Sequence, residues 1–262
     1  MNKKEKNFIL NLAREIGKVQ LKHFLLTKDL EISTKSKYFN DIITKVDIIA
    51  EKLLLEKTEK FGFSGTILTE ETGIKKLGDS NKKIIVDPLD GTFFYSRKIN
   101  NFCVAIAFEE SNETVFSVVY NPATKEFFYA EKSKGAFLNG EKIQVSSTNH
   151  LKKSTILFSV YPNYKLEKTT RIFVNLMKTG GLRFLTHLFN MNLCYVACGK
   201  FDGIIVFYKK LPEWDKIPGI LILEEAGGLA TNFDGKRWSR NDTKIIASNG
   251  ILHKQLLKIV SN

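Results

Sequence analysis

The first fifty residues show apolar positions with the period of a helix. The spacing of three and four residues predicts an amphipathic N-terminal helix, whose apolar residues are Phe8, Ile9, Leu12, Ile16, Val19 and Phe24. A second helix is predicted to begin at Asp47, with its apolar side formed by Ile48, Leu53, Leu54 and Leu55. The polar and basic stretch between them, residues 33–41, is predicted to form a loop or a short hairpin.

The pattern changes to that of strands between residues 66 and 145. Runs of β-branched and aromatic residues, separated by Asn, Gly, Pro and charged residues, predict strands at 66–70, 83–87, 102–108, 114–120, 126–131 and 135–145. The last run contains Asn139-Gly140, which is typical of a two-residue hairpin turn. This part of the chain is therefore predicted to be rich in antiparallel sheet.

Strand and helix patterns alternate after residue 154. Strands are predicted at 154–160, 181–186, 202–208 and 244–248, and helices near 164–178, near 188–199, from about 214 and from 251. The polar stretch 146–154 is the best candidate boundary. We therefore expect an α+β half over residues 1–147 and a layered α/β half over residues 148–262.

Composition favours an ordinary globular protein. The chain has 262 residues, 43% of them hydrophobic, and no uninterrupted apolar run long enough to cross a membrane, so we expect a cytoplasmic protein without a membrane partner. Its net charge of +12 comes from lysines spread along the chain, which favours a phosphorylated substrate over a cationic one. Cys103, Cys194 and Cys198 lack metal-ligand spacing and are interpreted as buried thiols.

Two acids at the end of a predicted strand are the main candidate chemistry. Asp87 and Asp90 could belong to a polar turn, but two close carboxylates repel each other, and a shared proton or a bound cation relieves that repulsion. Glu70 and Glu71 follow another apolar strand, and Asp215 lies where a helix should begin. Oxygen ligands from several strand ends are typical of a Mg²⁺ site.

The two residues after these acids are suited to a phosphate. Gly91 and Thr92 offer unhindered backbone N–H groups and a hydroxyl, which together can hold an oxyanion. Cations facing a phosphate indicate phosphoryl transfer to water. Asp47 has no place in this cluster on the residues alone, where it looks like an ordinary helix N-cap.

The motifs together resemble the inositol monophosphatase family, which is related to the fructose-1,6-bisphosphatases and the adenosine bisphosphate phosphatases. The resemblance covers nearly the whole chain and rests on DIITKVD at 41–47, TEETG at 69–73, DPLDGT at 87–92, KGAFLNGEKIQVS at 134–146 and WDKIPGILILEEAGG at 214–228. It implies a layered αβαβα sandwich with the site in the cleft between the halves. It also implies a homodimer.

The resemblance implies two or three Mg²⁺ ions and a role for each acid. Glu70, Asp87 and the carbonyl of Leu89 would hold a first ion, and Asp87, Asp90 and Asp215 a second, with a third near Glu70. Thr92 and Asp47 would orient and help deprotonate the attacking water, so that Asp47, Glu70 and Thr92 are the catalytic candidates. The substrate phosphate would contact Asp90 and the amides of Gly91 and Thr92.

The recognition positions depart from the family pattern. Phe94 replaces the usual Asn after DGTx, and Thr186 and His187 stand where most members have Gly-Ser. Tyr208 occupies the place of the acid that contacts the polyol in inositol-specific members. His187 could be a half-buried loop residue or a substrate contact, and Tyr208 could pack at a strand end or line the pocket.

These observations predict a Mg²⁺-dependent phosphatase that hydrolyses a small phosphorylated metabolite such as a polyol or sugar phosphate. Fructose 1,6-bisphosphate, adenosine 3′,5′-bisphosphate and histidinol phosphate remain alternative substrates. A basic regulatory protein that binds RNA on the same scaffold is the alternative from another class. We do not expect a nucleic-acid partner, because the net charge alone supports one and no aromatic-basic motif of the RNA-binding kinds appears.

Overall fold

The computed structural model describes residues 1–26, 30–36, 41–160, 165–185 and 188–261. Its helices are α1 Lys3–Leu26, α2 Lys45–Phe61, α3 Thr92–Ser96, α4 Leu166–Lys178, α5 Phe189–Ala197, α6 Ile217–Glu225 and α7 His253–Ser261. Its strands are β1 Ser33–Thr34, β2 Ile42–Ile43, β3 Thr66–Thr69, β4 Gly73–Lys76, β5 Lys82–Asp90, β6 Cys103–Glu110, β7 Glu113–Asn121, β8 Glu126–Glu131, β9 Gly135–Leu138, β10 Glu141–Ile143, β11 Thr155–Val160, β12 Leu182–Leu185, β13 Gly203–Phe207, β14 Leu229–Asn232 and β15 Lys244–Ser248.

Two large sheets divide the described chain. The first has eight strands in the order β10-β9-β8-β7-β6-β5-β3-β4, and only its β3–β5 pair is parallel. The second has five strands in the order β12-β11-β13-β15-β14. β1 and β2 form the short hairpin predicted between the first two helices. The boundary proposed after residue 147 falls between the two sheets, and its role as a domain boundary stays a prediction.

Helices lie on both faces of each sheet. α1 and α2 pack on one face of the eight-stranded sheet, and α5 and α6 lie between the two sheets. α7 packs on the face of the five-stranded sheet that points away from α5 and α6. α4 contacts α7 on that face. The layers therefore run αβαβα, and the predicted layered sandwich is confirmed.

The hydrophobic core explains this layering. A buried cluster beneath α1 and α2 includes Ile9, Leu54 and Ile84, and a second cluster between the sheets includes Phe128, Met191 and Ile222. α5 and α6 are apolar on nearly every side because they contact a sheet on each face. Burial of these faces is the main free-energy contribution that fixes the five layers.

The element predictions need several corrections, one of which is the unpredicted short helix α3. Asp47 does not begin α2, because Thr44 is the N-cap residue. Ile48 is 58% exposed and does not belong to the apolar side of α2, which is formed by Val46, Ala50 and Leu54. β4 and β14 were not predicted, because both are short edge strands with polar residues and weak alternation.

Two other expectations concern the cysteines and the membrane. Cys103 and Cys194 are buried as predicted, whereas Cys198 is half-buried. Over the ranges that the structure describes, none of the helices combines the length and the apolar character that a membrane crossing requires.

Candidate active site

The centre of the site is the end of β5, where Asp87 and Asp90 lie. β5 pairs with β3 on one side and with β6 on the other, and its register with β6 shifts between these two acids. Asp87 is 2% exposed and Asp90 is 9% exposed. The backbone N–H of Leu89 donates to Oδ1 of Asp87 over 2.9 Å, which fixes the first carboxylate. The irregular strand end therefore brings both predicted acids into one buried place.

Asn190 on α5 connects the second acid to the rest of the site. Its Nδ2 donates to Oδ2 of Asp90 at 3.0 Å and to the backbone oxygen of Trp214 at 2.9 Å, and its Oδ1 accepts from the N–H of Gly219 at 3.0 Å. The side chain therefore ties the end of β5 to the segment around Asp215. Sequence reasoning missed Asn190, although a polar residue in the apolar run FNMNLCYVA is a signal of such a role.

Asp215 lies in the turn that precedes α6 and is half-buried. α6 begins at Ile217, slightly later than predicted, and Pro218 occupies its first turn, where a missing N–H costs little. At the other end, the N–H of Gly228 donates to the oxygen of Leu223 at 2.9 Å. The predicted helix start beside Asp215 is therefore confirmed, and the helix ends just before Gly227 and Gly228.

The acids in the site act on one another electrostatically. Burial raises the pKa of Asp87 well above its ordinary value, and the charges of Glu70, Asp90 and Asp215 raise it further. Burial, together with the charge of Glu70, raises the pKa of Asp90 to about 7, against the hydrogen bond from Asn190. The pKa of Asp215 is also raised well above its usual range, by burial and by Asp90 and Glu70.

A lysine from the short hairpin faces the acids that follow β3. Nζ of Lys35 lies 2.7 Å from Oε1 of Glu70 and 2.5 Å from Oε1 of Glu71. Burial raises the pKa of Glu71 to about 7, and repulsion by Glu70 adds to this effect while Lys35 opposes it. Sequence reasoning missed Lys35, because nothing in its local pattern distinguishes it from the other lysines of the basic loop.

Asp47 lies in the first turn of α2 and contacts the site through Thr92. Its Oδ2 accepts from the backbone N–H of Thr44 at 2.8 Å and from the Thr44 hydroxyl at 2.6 Å, which completes a capping box. Its Oδ1 lies 2.9 Å from Oγ1 of Thr92. Burial raises the pKa of Asp47, although the hydrogen bonds from Thr44 and Thr92 lower it. Asp47 therefore both caps the helix and faces the site.

The turn between β5 and α3 has the form that an oxyanion requires. Gly91 has φ +93°, and a Cβ added there would lie 2.7 Å from the backbone oxygen of Asn101. A side chain is therefore excluded at this position both by conformation and by space. Within the described ranges, no acceptor takes a hydrogen bond from the backbone N–H of Gly91 or Thr92.

The acids at this site are suitable ligands for a hard cation such as Mg²⁺. The acids of the cluster offer carboxylate oxygens, and their pKa values are raised first by burial and then by the neighbouring acids, both of which a bound cation would offset. The Lys35 ammonium group already pairs with Glu70. Among the described residues, no three Asp, Glu, His or Cys side chains form a group that could hold a metal ion in its present arrangement. A cation would thus have to draw these carboxylates together.

The atypical recognition positions are only partly described. Tyr208 is half-buried, its hydroxyl lies 2.7 Å from Oγ of Ser159, and burial raises its pKa to about 12 with contributions from Asp215 and Asp90. Tyr208 therefore lies near the acids as well as at the end of β13. Thr186 and His187 lie outside the described residues. Trp214 packs against Ile85 and Ile217.

Comparison with known proteins gives a family and close structural matches. The model of the inositol monophosphatase family matches residues 1–262. A fructose-1,6-bisphosphatase/inositol-1-monophosphatase of Thermotoga maritima is 31% identical over 261 residues, covering 97% of this chain and 95% of the relative. The Nus factor SuhB of Haemophilus influenzae is 34% identical over 257 residues, covering 97% and 94%. The crystal structure of the extragenic suppressor protein suhB from Bartonella henselae has a TM-score of 0.92 at 29% identity and covers 98% of both chains.

Proposed function

The chain belongs to the inositol monophosphatase family, and from this premise we propose that it is a Mg²⁺-dependent phosphatase that hydrolyses a small phosphate monoester. The observation that carries the proposal is the group of mutually repelling acids at the end of β5, with the Thr92–Asp47 pair beside it. Buried acids with raised pKa values are a feature of sites that bind cations or transfer protons.

Two or three Mg²⁺ ions are proposed for each site. Glu70, Asp87 and the backbone oxygen of Leu89 would hold the first, and Asp87, Asp90 and Asp215 the second, with the third near Glu70. When bound, Mg²⁺ supplies charge neutralisation to the phosphate and acidity to the attacking water.

Thr92 and Asp47 are proposed to handle the proton of the attacking water. The Thr92 hydroxyl has one proton, and Oδ1 of Asp47 and the oxygen of Leu89 both lie 2.9 Å away as acceptors. When that proton points to Asp47, the lone pairs of Thr92 are free to accept a hydrogen bond from water. Because the pKa of Asp47 is raised, its carboxylate is a stronger base than an exposed aspartate.

The phosphate is proposed to lie against the turn at Gly91. The backbone N–H groups of Gly91 and Thr92 would donate to its oxygens, as unpaired amides in tight turns do for other oxyanions. Asp90 would contact the substrate from the other side of the same turn. The two N–H groups would recognise the phosphate only. Other residues would have to bind the rest of the substrate.

The substrate is proposed to be a polyol or sugar phosphate related to inositol monophosphate. Fructose 1,6-bisphosphate is the second candidate, because the Thermotoga maritima relative is named for both activities. Tyr208 replaces the acid expected at the polyol contact, so a substrate with fewer hydroxyl contacts is compatible with this site. We further propose that the enzyme is cytoplasmic and forms a homodimer. Sedimentation of the purified protein would test the homodimer.

The first experiment is phosphate release from a panel of esters with and without Mg²⁺. The panel comprises inositol 1-phosphate, fructose 1,6-bisphosphate, adenosine 3′,5′-bisphosphate and histidinol phosphate. Mg²⁺-dependent release from one ester well above the others is expected. Equal release with and without Mg²⁺ would contradict the proposed cofactor.

The matched variant is Asp90→Asn, which keeps the size of the side chain and an oxygen that can accept from Asn190. We expect it to lose turnover on every ester while its circular dichroism spectrum stays that of the wild type. If folded Asp90→Asn protein retained activity, the assignment of this acid as a ligand would be wrong. If the wild type released no phosphate from any ester, the phosphatase proposal would lose its main support.

A further inference from the structure

A row of aromatic rings lies on the α1 side of β7, β8 and β9. Tyr120 pairs with Phe127 across β7 and β8, and their ring centroids are 5.0 Å apart. Tyr129 pairs with Phe137 across β8 and β9, where the rings are stacked at 5.1 Å and 13°. Tyr120, Tyr129 and Phe137 are half-buried, whereas Phe127 is buried beneath the Arg14 guanidinium. This row is called the aromatic platform below.

Basic side chains flank the aromatic platform. Arg14, Lys18 and Lys22 follow one another at intervals of four residues along α1, and all three are exposed. Residues four apart on a helix lie on one side, about 6 Å from one another along its axis. Lys125, at the turn between β7 and β8, lines the same cavity as Arg14 and Lys18. Basic groups from two separate elements therefore lie beside the platform.

Some of these groups line an open surface cavity of about 420 Å³. It is lined by Arg14, Lys18, Tyr120, Lys125, Phe127 and Tyr129, together with the hairpin turn at 139–140. The Arg14 guanidinium lies 4.4 Å from the centroid of the Phe127 ring, which holds the cation over an aromatic face. No acid lines the cavity in the described part of the chain, and no ion pair there engages Arg14, Lys18 or Lys125.

We propose that this surface binds single-stranded nucleic acid, with bases stacked on the aromatic platform and phosphates along the basic stripe. Unpaired bases stack on Tyr and Phe rings, and lysines and arginines beside such rings hold the backbone. A small anion would need no platform. A single nucleotide would leave Lys22 unused, since the stripe continues beyond the cavity. The surface shares no residue with the proposed phosphatase site and does not depend on that function.

The surface differs from the expectation drawn from sequence, which found no aromatic-basic motif of the RNA-binding kinds. Most of its cations come from α1, whereas its rings and Lys125 come from the much later segment between Tyr120 and Phe137. Only the packing of α1 against β6 and β7 brings these two parts together. Reading the chain in order could not reveal it.

The test is fluorescence anisotropy with a labelled oligouridylate of about 12 nucleotides. Measurements run from about 50 to 200 mM salt without Mg²⁺, so that the repelling acids of the phosphatase site disfavour binding there. The wild type is expected to bind, with an affinity that falls steeply as salt rises. No binding at the lowest salt would overturn the proposal.

Two triple variants distinguish binding at this surface from attraction by net charge alone. Changing Arg14, Lys18 and Lys125 to Ala should weaken binding at least about tenfold and reduce the slope of log affinity against log salt by about 2. Changing Lys168, Arg171 and Lys178 to Ala removes the same charge from the exposed side of α4 and should leave the affinity within about twofold. Equal losses in both variants would mean that only net charge attracts the strand, and the proposal would be wrong.

Tyr129→Leu tests the platform separately from the charges. Loss of one stacking ring should weaken binding about tenfold with the salt slope unchanged, and thermal melting establishes that the variant is folded. Unchanged affinity in folded Tyr129→Leu would remove the platform from the proposal. Uridine monophosphate that binds as tightly as the oligonucleotide would show a nucleotide pocket and would contradict the single-strand assignment.

Discussion

The hydroxyl of Thr92 lies 2.9 Å from Oδ1 of Asp47, a contact across 45 residues of chain that joins the end of β5 to the first turn of α2. Thr92 owes its place to the turn at Gly91, and Asp47 owes its place to the capping box with Thr44. Two ordinary local features, a glycine turn and a helix cap, therefore create a buried pair of a hydroxyl and a carboxylate beside the acids of β5.

Removing the hydroxyl of Thr92 should impair turnover far more than folding. Thr92→Val keeps the shape of the side chain but leaves Oδ1 of Asp47 without its donor and a water without its acceptor. We expect kcat to fall about 100-fold or more, whereas Thr92→Ser, which restores the hydroxyl, should stay within about tenfold. Steady-state kinetics on the best ester of the panel measures this. A folded Thr92→Val variant as active as Thr92→Ser would rule out the proposed proton path.

Neutralising Asp87 should stabilise the protein in the absence of Mg²⁺. The raised pKa of this acid means that its ionised form is disfavoured in the folded state, so metal-free protein loses stability as pH rises above the ordinary carboxyl range. Asp87→Asn keeps the acceptor for the Leu89 N–H and removes this loss. Its melting temperature should exceed that of the wild type by a few degrees, more at pH 8 than at pH 5.

The control for Asp87 is Asp234→Asn, an exposed acid outside the site, which should leave the melting temperature unchanged. Added Mg²⁺ should raise the melting temperature of the wild type and have little effect on Asp87→Asn. If Asp87→Asn melted below the wild type at pH 8 without Mg²⁺, repulsion among these acids would not be a destabilising feature of the site.

Much of the fold follows from local patterns in the chain. β8 and β15 have the predicted bounds, because each is an apolar run closed by turn residues or charges. The hairpin at Asn139-Gly140 forms as predicted, with both residues at positive φ. The acids of DPLDG, TEETG and WDKIPG also occur where strands end or a helix begins, as predicted, and their joint role as metal ligands stays a prediction.

The supporting contacts of the site could not be predicted in this way. Lys35 and Asn190 reach the acids only through tertiary packing, from a hairpin of two-residue strands and from a helix between the sheets. The role of Glu51 could not be predicted either. It lies four residues after Asp47 in a helix, where an acid usually faces solvent. Spacing along the chain indicates on which face of a helix or strand a residue lies. It does not indicate which other elements contact that face.

Truncating Glu51 should loosen the turn that carries Glu70 and Glu71. Glu51 is 4% exposed, and its Oε1 accepts from the Thr69 hydroxyl at 2.6 Å and from the N–H of Thr72 at 2.9 Å, on the two sides of that turn. Glu51→Ala leaves the Thr69 hydroxyl without its acceptor and the Thr72 N–H with only its longer bond of 3.3 Å to Oγ1 of Thr69, so we expect a loss of about 2 kcal/mol in the free energy of unfolding. The same variant should need several-fold more Mg²⁺ for the same rise in melting temperature.

Glu51→Gln provides the comparison, because its amide oxygen can accept from both donors. It should retain the Mg²⁺ response of the wild type, and Glu56→Ala, an exposed change on the same helix, should also have no effect. Should Glu51→Ala and Glu56→Ala respond to Mg²⁺ alike, Glu51 would have no role in positioning the acids.

His253 should make the protein less stable in mild acid. This histidine is 2% exposed between the hydroxyls of Thr231 and Ser248, and burial lowers its pKa from 6.5 to about 4. The unfolded chain therefore binds a proton below about pH 6.5 that the folded protein does not bind until about pH 4. Stability from this group is present above pH 6.5 and is lost as pH falls, by about 2 kcal/mol between pH 7 and pH 5.

Urea unfolding of wild type and His253→Gln at pH 7 and pH 5 measures this contribution. Other groups titrate in the same range. For each protein we therefore take the change in unfolding free energy between pH 7 and pH 5, and compare this change between wild type and variant. His253→Gln should show the smaller change, by about 2 kcal/mol, whereas His150→Gln, at an exposed position, should match the wild type. A His253→Gln variant with the full wild-type change would mean that this buried ring is not the source of the acid sensitivity.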